Sequence, residues 1–406
     1  MRRLGLVFLI GVLVTAGCRS QHAQSKRAAV DRWNAARATL NLQLAQKQYE
    51  AGEYHKALHT VQGVLVEKTD YLPGQYLKGK ICLGLNEPVQ ARDCFRHCLS
   101  LDPNHTQSHY QLGILYEQWN DSESAYTHYE SAWRLRPERG AYLSAMAETR
   151  LSQNRCAEAD QLLRQHVDPL NMDVPLYVTW ANIHLCRGDT EAAVEKFRKA
   201  HHMKPQDDRI SESLAMSLHQ MGRISEAQTL LEKLIQNAEK ESRPVAAAWH
   251  LALGDCYLEK KNYHQARRCF ERFNRRESNN PTGWTRLAQV ALAQNQLAEA
   301  IQYARKALAL EPKNVDAFMV LGYAAWKQKN YPQARTHLQR VVQDDPKNGL
   351  AYCLLGQVLE AEGDYDQAAA CYGEAVRINP KDSLAQKLLS QALKMHSARL
   401  KNTESY

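Results

Sequence analysis

The sequence has few of the residues that interrupt helices, with 19 glycines and 13 prolines among 406 residues. This excludes collagen-like and low-complexity chains, and 44% hydrophobic with 24% charged residues is typical of a folded protein. Ten cysteines fall well short of the density of a small disulfide scaffold. A hydrophobic core must therefore supply most of the stability. The net charge of +8 is mildly basic and selects no class of partner.

The sequence also lacks the short motifs of common catalytic sites. It contains no H-E-x-x-H, G-x-S-x-G or G-x-G-x-x-G, the spacings that hold a zinc ion, a nucleophilic serine or a dinucleotide. Its carboxylates are plentiful, but no pair is marked by other signals of a catalytic pocket. We therefore expect a protein that is not an enzyme and that uses no cofactor or metal ion.

No apolar run is long enough to cross a bilayer, but a short one stands at the amino terminus. Arg2 and Arg3 precede the apolar residues Leu4 to Val14, whereas a membrane-spanning helix needs about 20 residues. This pattern predicts a secretory signal peptide over residues 1–17. The small residues before Cys18 resemble the lipobox of bacterial lipoproteins, which implies that Cys18 becomes the lipid-modified first residue of the mature chain.

The residues after Cys18 bear on the location of the protein. Arg19 follows Cys18, in place of the aspartate that in such lipoproteins often signals retention at the inner membrane. The resemblance therefore implies the outer membrane, on its periplasmic face, with acyl chains that hold a folded domain without spanning the bilayer. Residues 18–37 form a polar tether. We expect a lipid-anchored protein of the bacterial cell envelope, without nucleic acid as a partner.

Beyond the tether, small residues recur with a fixed period. Alanine stands at ten positions, 34 residues apart except for one step of 39: Ala57, Ala91, Ala125, Ala159, Ala193, Ala227, Ala266, Ala300, Ala334 and Ala368. Twelve residues before each lies another alanine or glycine, and four residues after nine of them lies a large apolar side chain. Small residues let crossing helices approach while large ones fill the grooves. Each period therefore predicts a helix–turn–helix unit.

This pattern resembles the tetratricopeptide repeat (TPR). The resemblance implies an all-α fold of helix–turn–helix repeats in a right-handed superhelical solenoid, with about ten repeats and a carboxy-terminal capping helix. We place repeats 1–6 at residues 38–241, repeats 7–10 at residues 242–382, and the capping helix and tail at residues 383–406. The apolar residues expected to cover the end of the array are Leu384, Leu388, Leu389, Leu393 and Met395.

The single step of 39 inserts five residues around Gln236–Pro244. Two interpretations stay open. The inserted residues either lengthen the second helix of the sixth repeat or form a boundary at which two blocks of repeats flex.

In the TPR family the first helix of each repeat lines a concave groove that binds partners. The matching positions give candidate partner-binding residues: Tyr76, Lys80, Tyr110, Glu148, Arg209, Met216, His219, Asp255, Met319, Tyr323, Trp326 and Lys327. Acidic residues outnumber basic ones at the groove positions, so we expect the groove to take a basic or polar peptide segment, with basic runs such as Arg272–Arg276 on the outer face. For about half of the aromatic and amphipathic groove residues we expect packing against a neighbouring repeat instead.

The sequence thus predicts a non-enzymatic interaction scaffold or assembly factor whose partners are envelope proteins. One alternative is a self-assembling structural envelope protein, and the oligomeric state stays open. Another is a metal- or thiol-dependent protein centred on Cys82, Cys94 and Cys98.

Disulfides are plausible between the two helices of one repeat. The candidate pairs are Cys256 with Cys269 and Cys82 with Cys94, although spacing alone does not decide the pairing.

Overall fold

The structure is a computed structural model that describes residue 26, residues 29–30, residues 32–167 and residues 172–403. All regular secondary structure in these residues is α-helical, which confirms the predicted fold class. The predicted signal peptide and Cys18 lie outside the described residues. No helix in the described part is both long and apolar enough to cross a membrane.

Two compact units divide the chain between Lys196 and Phe197. The helices of the amino-terminal unit follow one another as helix–turn–helix pairs. They are α1 (32–50), α2 (Tyr54–Glu67), α3 (Leu72–Gly84), α4 (Pro88–Leu101), α5 (Thr106–Gln118), α6 (Ser122–Leu135), α7 (Gly140–Ser152), α8 (Cys156–His166) and α9 (Val174–Cys186). The boundary between the units lies within α10 (Thr190–Met203).

The carboxy-terminal unit has the same alternation and ends on an additional helix. Its helices are α11 (Asp208–Gln220), α12 (Ile224–Lys240), α13 (Ala247–Glu259), α14 (Tyr263–Arg276), α15 (Pro281–Ala293), α16 (Leu297–Leu310), α17 (Val315–Lys327), α18 (Tyr331–Asp344), α19 (Gly349–Ala361), α20 (Tyr365–Ile378) and α21 (Ser383–Thr403). From α1 to α20, odd-numbered helices are thus the first helices of the repeats and even-numbered helices are the second ones, while α21 is the additional helix.

The periodic small and large residues form the core, as the sequence predicts. All ten periodic alanines from Ala57 to Ala368 are 0% exposed. The aromatic rings lie directly over the periodic glycines, because a Cβ atom built on Gly79 would lie 2.6 Å from Cε1 of Phe95, and one on Gly356 would lie 2.6 Å from Cε1 of Tyr372. The small residues are therefore required by the close approach of the two helices.

The turn inside every repeat uses one residue in the left-handed conformation. These ten residues have φ between +58° and +86° and share the period of the alanines: Gly52, Asn86, Asn120, Asn154, Gly188, Gly222, Lys261, Asn295, Lys329 and Gly363. In the second repeat, the Glu87 N–H donates to the Cys82 carbonyl at 2.8 Å and the Asn86 N–H donates to the Leu83 carbonyl at 3.0 Å. This is a Schellman motif, which ends the first helix of each repeat.

The capping helix packs on α20 by a face that the sequence predicts only in part. Ala385 and Ala392 are 0% exposed, and Leu388 and Leu389 pack against the core of the last repeats. Leu384, Leu393 and Met395 were expected in this contact and are about half exposed instead. The contacting residues recur at intervals of three and four, as one face of a helix requires, and the three exposed residues lie off that face.

The inserted residues lengthen α12 and its connection to α13. α12 has 17 residues, whereas α14 has 14. Ser242 follows it with φ of +53°, and the Arg243 N–H donates to the Ala238 carbonyl at 2.8 Å. The sixth repeat thus ends with the same Schellman geometry that elsewhere separates two helices of one repeat. The division into two blocks at residue 241 stays a prediction.

Candidate functional site

All twelve predicted partner-binding residues lie on first helices. Tyr76 and Lys80 are on α3, Tyr110 is on α5 and Glu148 is on α7; on α11, α13 and α17 lie Arg209, Met216, His219, Asp255, Met319, Tyr323, Trp326 and Lys327. We call the groove positions of these helices the first-helix face. The binding roles of the twelve residues stay predictions, and the contacts of each are described below, unit by unit.

The amino-terminal unit has an open pocket on this face, between α1, α3 and the start of α5. Its volume is about 670 Å³. Most of its lining residues occupy groove positions carried over from the TPR resemblance: Thr39, Leu42, Gln46, Glu50, Pro73, Tyr76, Lys80 and Gln107. The other five, which the groove positions miss, are Gln43, Lys47, Leu72, Leu77 and His105. Four of these five residues lie on α1 and α3, and His105 directly precedes α5.

Contacts with aromatic rings hold two of the side chains that line this pocket, Lys80 and Tyr76. The Lys80 ammonium lies 4.6 Å from the centre of the Tyr49 ring. The Tyr76 ring lies 5.7 Å from the ring of Phe95 and 5.2 Å from that of His105, centre to centre. Such contacts restrict the side chains before any partner arrives, which lowers the entropic cost of binding.

Tyr110 and Glu148 are held by the repeats around them. The Tyr110 ring packs between Tyr129 and Tyr142, at 5.6 and 5.2 Å between ring centres. A carboxylate oxygen of Glu148 accepts a hydrogen bond from the Thr179 hydroxyl at 2.6 Å. Desolvation by its neighbours raises the pKa of Glu148 above its ordinary value. Both side chains therefore contribute to packing between repeats.

In the carboxy-terminal unit, the first-helix face carries two close contacts between acidic and basic side chains, at α11 and α13. His219 Nε2 lies 3.1 Å from a carboxylate oxygen of Glu259, and Asp255 lies 2.8 Å from Nε of Arg286. Burial raises the pKa of Asp255 in spite of the Arg286 guanidinium.

Arg209 and Met216 complete this stretch of α11. Both side chains are exposed, and Met216 retains 50% of its accessible surface. An exposed, flexible methionine can adapt to the shape of an apolar partner group.

Helix α17 presents an aromatic cluster on the same face. The rings of Tyr323 and Trp326 lie 5.5 Å apart, and the Lys327 ammonium lies 5.4 and 5.0 Å from their centres. Met319 packs into the core of the last repeats. Nearby on α19, Leu350 is 63% exposed. Tyr323 and Trp326 are partly buried and pack against the same core as Met319. Aromatic residues held in this way most often anchor protein partners through the part of the ring that stays exposed.

Many acidic groups of the groove positions are engaged within the protein. Glu117 accepts from the Tyr129 hydroxyl at 2.9 Å, and Glu360 accepts from the Tyr372 hydroxyl at 3.0 Å. With Glu148, Asp255 and Glu259, this makes five acidic groups with internal partners. The predicted excess of acidic residues therefore contributes to packing between helices as well as to the surface potential.

The cysteines of the second repeat are arranged as packing residues. Cys82, Cys94 and Cys98 are all buried. A hydrogen bond to Cys94, together with burial, raises the pKa of the Cys82 thiol, and burial raises that of Cys98. Among the described residues, no group of three or more His, Cys, Asp or Glu side chains is placed to hold a metal ion. The metal- or thiol-dependent alternative is not favoured.

A disulfide joins Cys156 and Cys186, whose Cα atoms lie 6.2 Å apart. It links the start of α8 to the end of α9, in the fourth and fifth repeats. Both predicted pairs are wrong: Cys256 and Cys269 are free and buried, and so are Cys82 and Cys94. The prediction paired cysteines within a repeat, whereas the disulfide forms where helix ends of successive repeats meet.

Family models match four stretches of the chain. Residues 275–386 match the cytochrome c-type biogenesis protein H TPR domain. Residues 208–272, 94–127 and 72–105 each match a tetratricopeptide repeat. No curated protein matches the chain.

Solved structures of repeat proteins resemble the chain at low sequence identity. The crystal structure of the APC/C hetero-tetramer Cut9–Hcn1 is 15% identical, with 89% of this chain and 84% of that one covered and a TM-score of 0.51. A tetratricopeptide repeat protein from Parabacteroides merdae is 14% identical, with 71% and 98% covered and a TM-score of 0.48. The P58(IPK) TPR domain is 14% identical, with 89% and 99% covered and a TM-score of 0.40. The first of these supports the helical repeat fold.

Proposed function

The chain is a tetratricopeptide-repeat protein, and we propose that it is a non-enzymatic interaction scaffold or assembly factor, anchored by lipid in the bacterial cell envelope. The matches to tetratricopeptide-repeat family models and the helical repeat fold support the proposal that its partners are proteins. The signal peptide pattern and Cys18 support the envelope location. The mechanism is preorganised binding, in which a few anchoring side chains supply most of the affinity.

The pocket of the amino-terminal unit is the observation that carries the binding proposal. Its apolar wall includes Leu42, Leu72 and Leu77, while Lys47 and Lys80 bring two positive charges against the one negative charge of Glu50. An extended polar segment of a partner would place an apolar side chain against this wall and a carboxylate beside the lysines. At this pocket the proposal departs from the expectation of a basic segment, because two lysines outnumber Glu50 and favour an acidic group on a polar segment.

The aromatic cluster on α17 is the second anchor that we propose. Tyr323 and Trp326 offer large contact areas with polar atoms at their edges, and the Lys327 ammonium already lies over both rings. Side chains with few rotatable bonds lose little entropy on binding.

Capture of partners from solubilised envelopes tests the binding proposal. The variant Lys47→Glu with Lys80→Glu reverses the pocket charge, and Tyr323→Ala with Trp326→Ala removes the aromatic cluster. Lys56→Glu on α2, an exposed residue off the first-helix face, is the matched control. We expect one or a few envelope proteins to be captured by the natural chain and the control but lost with the first two variants. Equal capture by all four chains contradicts the proposal, provided that circular dichroism shows equal helix content.

Metabolic labelling tests the lipid anchor. We expect an alkyne-bearing fatty acid to label the natural chain and to fail to label Cys18→Ser, which should leave the membrane fraction. An unlabelled natural chain would show that Cys18 is not modified.

The disulfide is an independent support for an envelope location. Disulfides such as Cys156–Cys186 form and persist in oxidising compartments, including the bacterial periplasm.

Light scattering tests the self-assembling alternative. Self-assembly predicts a molar mass that rises with protein concentration, whereas a monomeric scaffold predicts a constant molar mass.

A further inference from the structure

A second pocket lies in the carboxy-terminal unit, where the five-residue insertion breaks the repeat period. It is an open pocket of about 440 Å³ between the end of α12, the connection to α13, and α14. Its polar lining is mainly basic and includes Ser242, Arg243, His250, Arg272, Arg275 and Arg276. Only Glu239 contributes a carboxylate to the lining. This set differs from the first-helix face, because Arg272, Arg275 and Arg276 are on a second helix.

The arginines of this pocket carry more positive charge than the protein neutralises. Arg243 forms ion pairs with Asp208 and Glu241. Arg272 lies 3.8 Å from Glu239, and Arg276 donates to the Val245 carbonyl, a neutral acceptor. The four arginines of the lining outnumber the three carboxylates paired with them, Asp208, Glu239 and Glu241, by one positive charge. Among the described residues neither Arg275 nor Arg276 has a carboxylate partner, so a bound anion would take that place.

A buried histidine supplies an independent indication of a ligand. His250 is 5% exposed, lines the pocket, and its Nδ1 atom has no hydrogen-bond partner. A buried polar atom without a partner is costly, and an incoming hydrogen-bond acceptor would remove that cost. Burial, with Arg272 and Arg276, lowers the pKa of His250, against the opposing effect of Glu239. The neutral ring then carries a single proton, which the Nδ1 tautomer would donate to an anion.

We propose that this arginine pocket binds a phosphate group, with the guanidiniums of Arg272 and Arg275 and the Nδ1 proton of His250 as its donors. At neutral pH phosphate monoesters carry about 1.5–2 negative charges and inorganic phosphate carries between one and two, and arginine matches their oxygens in pairs of parallel hydrogen bonds. A lipid headgroup and a free phosphate share this chemistry. The site is separate from partner binding on the first-helix face.

Calorimetric titration of the full chain with inorganic phosphate, against chloride at matched ionic strength, tests the proposal. We use Cys18→Ser throughout, so that no lipid anchor contributes. We expect saturable binding of phosphate, weakened about tenfold or more by Arg272→Gln with Arg275→Gln. Arg268→Gln, an exposed arginine on the same helix but outside the pocket, should leave the affinity unchanged. No saturation at about 10 mM phosphate, or equal loss with Arg268→Gln, overturns the proposal.

A second readout isolates the histidine. The Nδ1 resonance of His250 in nitrogen-15 spectra should shift with phosphate and stay fixed with chloride, and His250→Phe should weaken binding severalfold while the chain stays helical. An unmoved resonance at saturating phosphate contradicts the assigned donor.

Vesicles distinguish the two sources of phosphate. Flotation with phosphatidic acid vesicles that depends on Arg272 and Arg275 and is inhibited by inorganic phosphate identifies a lipid headgroup. Phosphate binding without flotation identifies a free phosphate compound. Flotation that survives Arg272→Gln with Arg275→Gln would refute a headgroup in this pocket.

Discussion

At the scale of single residues, the turn inside each repeat requires one residue in the left-handed backbone conformation, which is unfavourable for the two lysines that occupy this position. Lys261 and Lys329 have φ of +59°, at positions where most other repeats have asparagine or glycine. For a residue other than glycine, the left-handed conformation is less stable by about 1–2 kcal/mol, because the Cβ atom crowds the backbone. The backbone bonds of the turn form nevertheless, since the Asn330 N–H donates to the Ala325 carbonyl at 2.9 Å. These lysines therefore carry a local strain that the repeat tolerates.

We predict that Lys329→Gly raises the free energy of unfolding by about 0.5–1 kcal/mol, because the relief of strain exceeds the added entropy of the unfolded chain. The control Lys313→Gly replaces an exposed loop lysine that is not in the left-handed region and should lower the stability by a similar amount. Urea unfolding followed by circular dichroism measures both. Two changes of the same sign would contradict the strain argument.

The pKa of the partly buried His128 makes the stability of the protein depend on pH. Its Nδ1 lies 3.1 Å from Nδ1 of His109, and its ring stacks on Tyr116 at 5.4 Å between centres. Burial, then the nearby His109 and Arg96, lowers the pKa of His128 to about 4 from 6.5. Between these two values the unfolded chain binds a proton that the native chain does not.

The amino-terminal unit should therefore lose stability as the pH falls from about 6.5 to about 4. His128→Gln should make this loss smaller, although His105 and His184, whose pKa values are also lowered by burial, retain part of it. Urea midpoints at the two ends of this range, for both chains, provide the measurement. The same loss in the natural chain and in His128→Gln would rule out His128 as a contributor.

At the scale of the helical element, a ring-on-glycine contact determines how closely the two helices of a repeat approach. Phe95 on α4 is 0% exposed and covers Gly79 on α3. We predict that Gly79→Ala lowers the free energy of unfolding by about 1–3 kcal/mol, the range for overpacked cores. Gly63→Ala, on a helix surface with open space around the new Cβ, should raise it by about 0.5–1 kcal/mol.

A double-mutant cycle assigns the cost to the contact. Phe95→Leu in the Gly79→Ala background should recover part of the stability, because the smaller side chain makes room for the added methyl group. Strictly additive losses would show that Gly79→Ala acts elsewhere.

The disulfide restrains two successive repeats. It joins residues 30 positions apart, and loop-closure entropy gives such a link about 3–4 kcal/mol. We predict that Cys156→Ser with Cys186→Ser lowers the stability of the amino-terminal unit by about this amount, and that a reductant does the same to the natural chain. The double variant should no longer respond to the reductant. A natural chain insensitive to reductant would indicate that these thiols are not joined.

The sequence predicts an element well when side chains that repeat with the period determine it, and poorly when backbone conformation or the choice of contact face determines it. The helix pairs and their small residues follow from side chains that repeat every 34 positions, so the sequence shows them directly. The turn residues share that period, but Lys261 and Lys329 hide it because their side chains give no sign of a left-handed backbone. The contact face of α21 was only partly predicted, since Leu388 and Leu389 pack on it as expected but its buried alanines, Ala385 and Ala392, were not anticipated.

At the scale of the whole molecule, the sequence predicts the architecture better than the sites. Disulfide pairing depends on which helix ends lie next to each other in the folded protein. The order of the helices along the chain does not show which ends these are. The pocket near Tyr76 and Lys80 was partly predicted because the family positions mark groove residues, whereas Lys47 was missed because it lies one residue beyond the groove position of Gln46. Of the arginine pocket, the sequence predicts the basic run Arg272–Arg276 but not the pocket itself, because the pocket arises where the insertion interrupts the period.

The central claim for the whole molecule is that partners bind the first-helix face. Site-specific photo-crosslinking in living cells tests it most directly, with the reactive residue at Gln43 in the first pocket or at Val66 on α2, which is 85% exposed. We predict discrete cross-linked partners from Gln43, lost when Lys47→Glu and Lys80→Glu are added, and none from Val66. Equal products from both positions, or products from Val66 alone, would contradict the account.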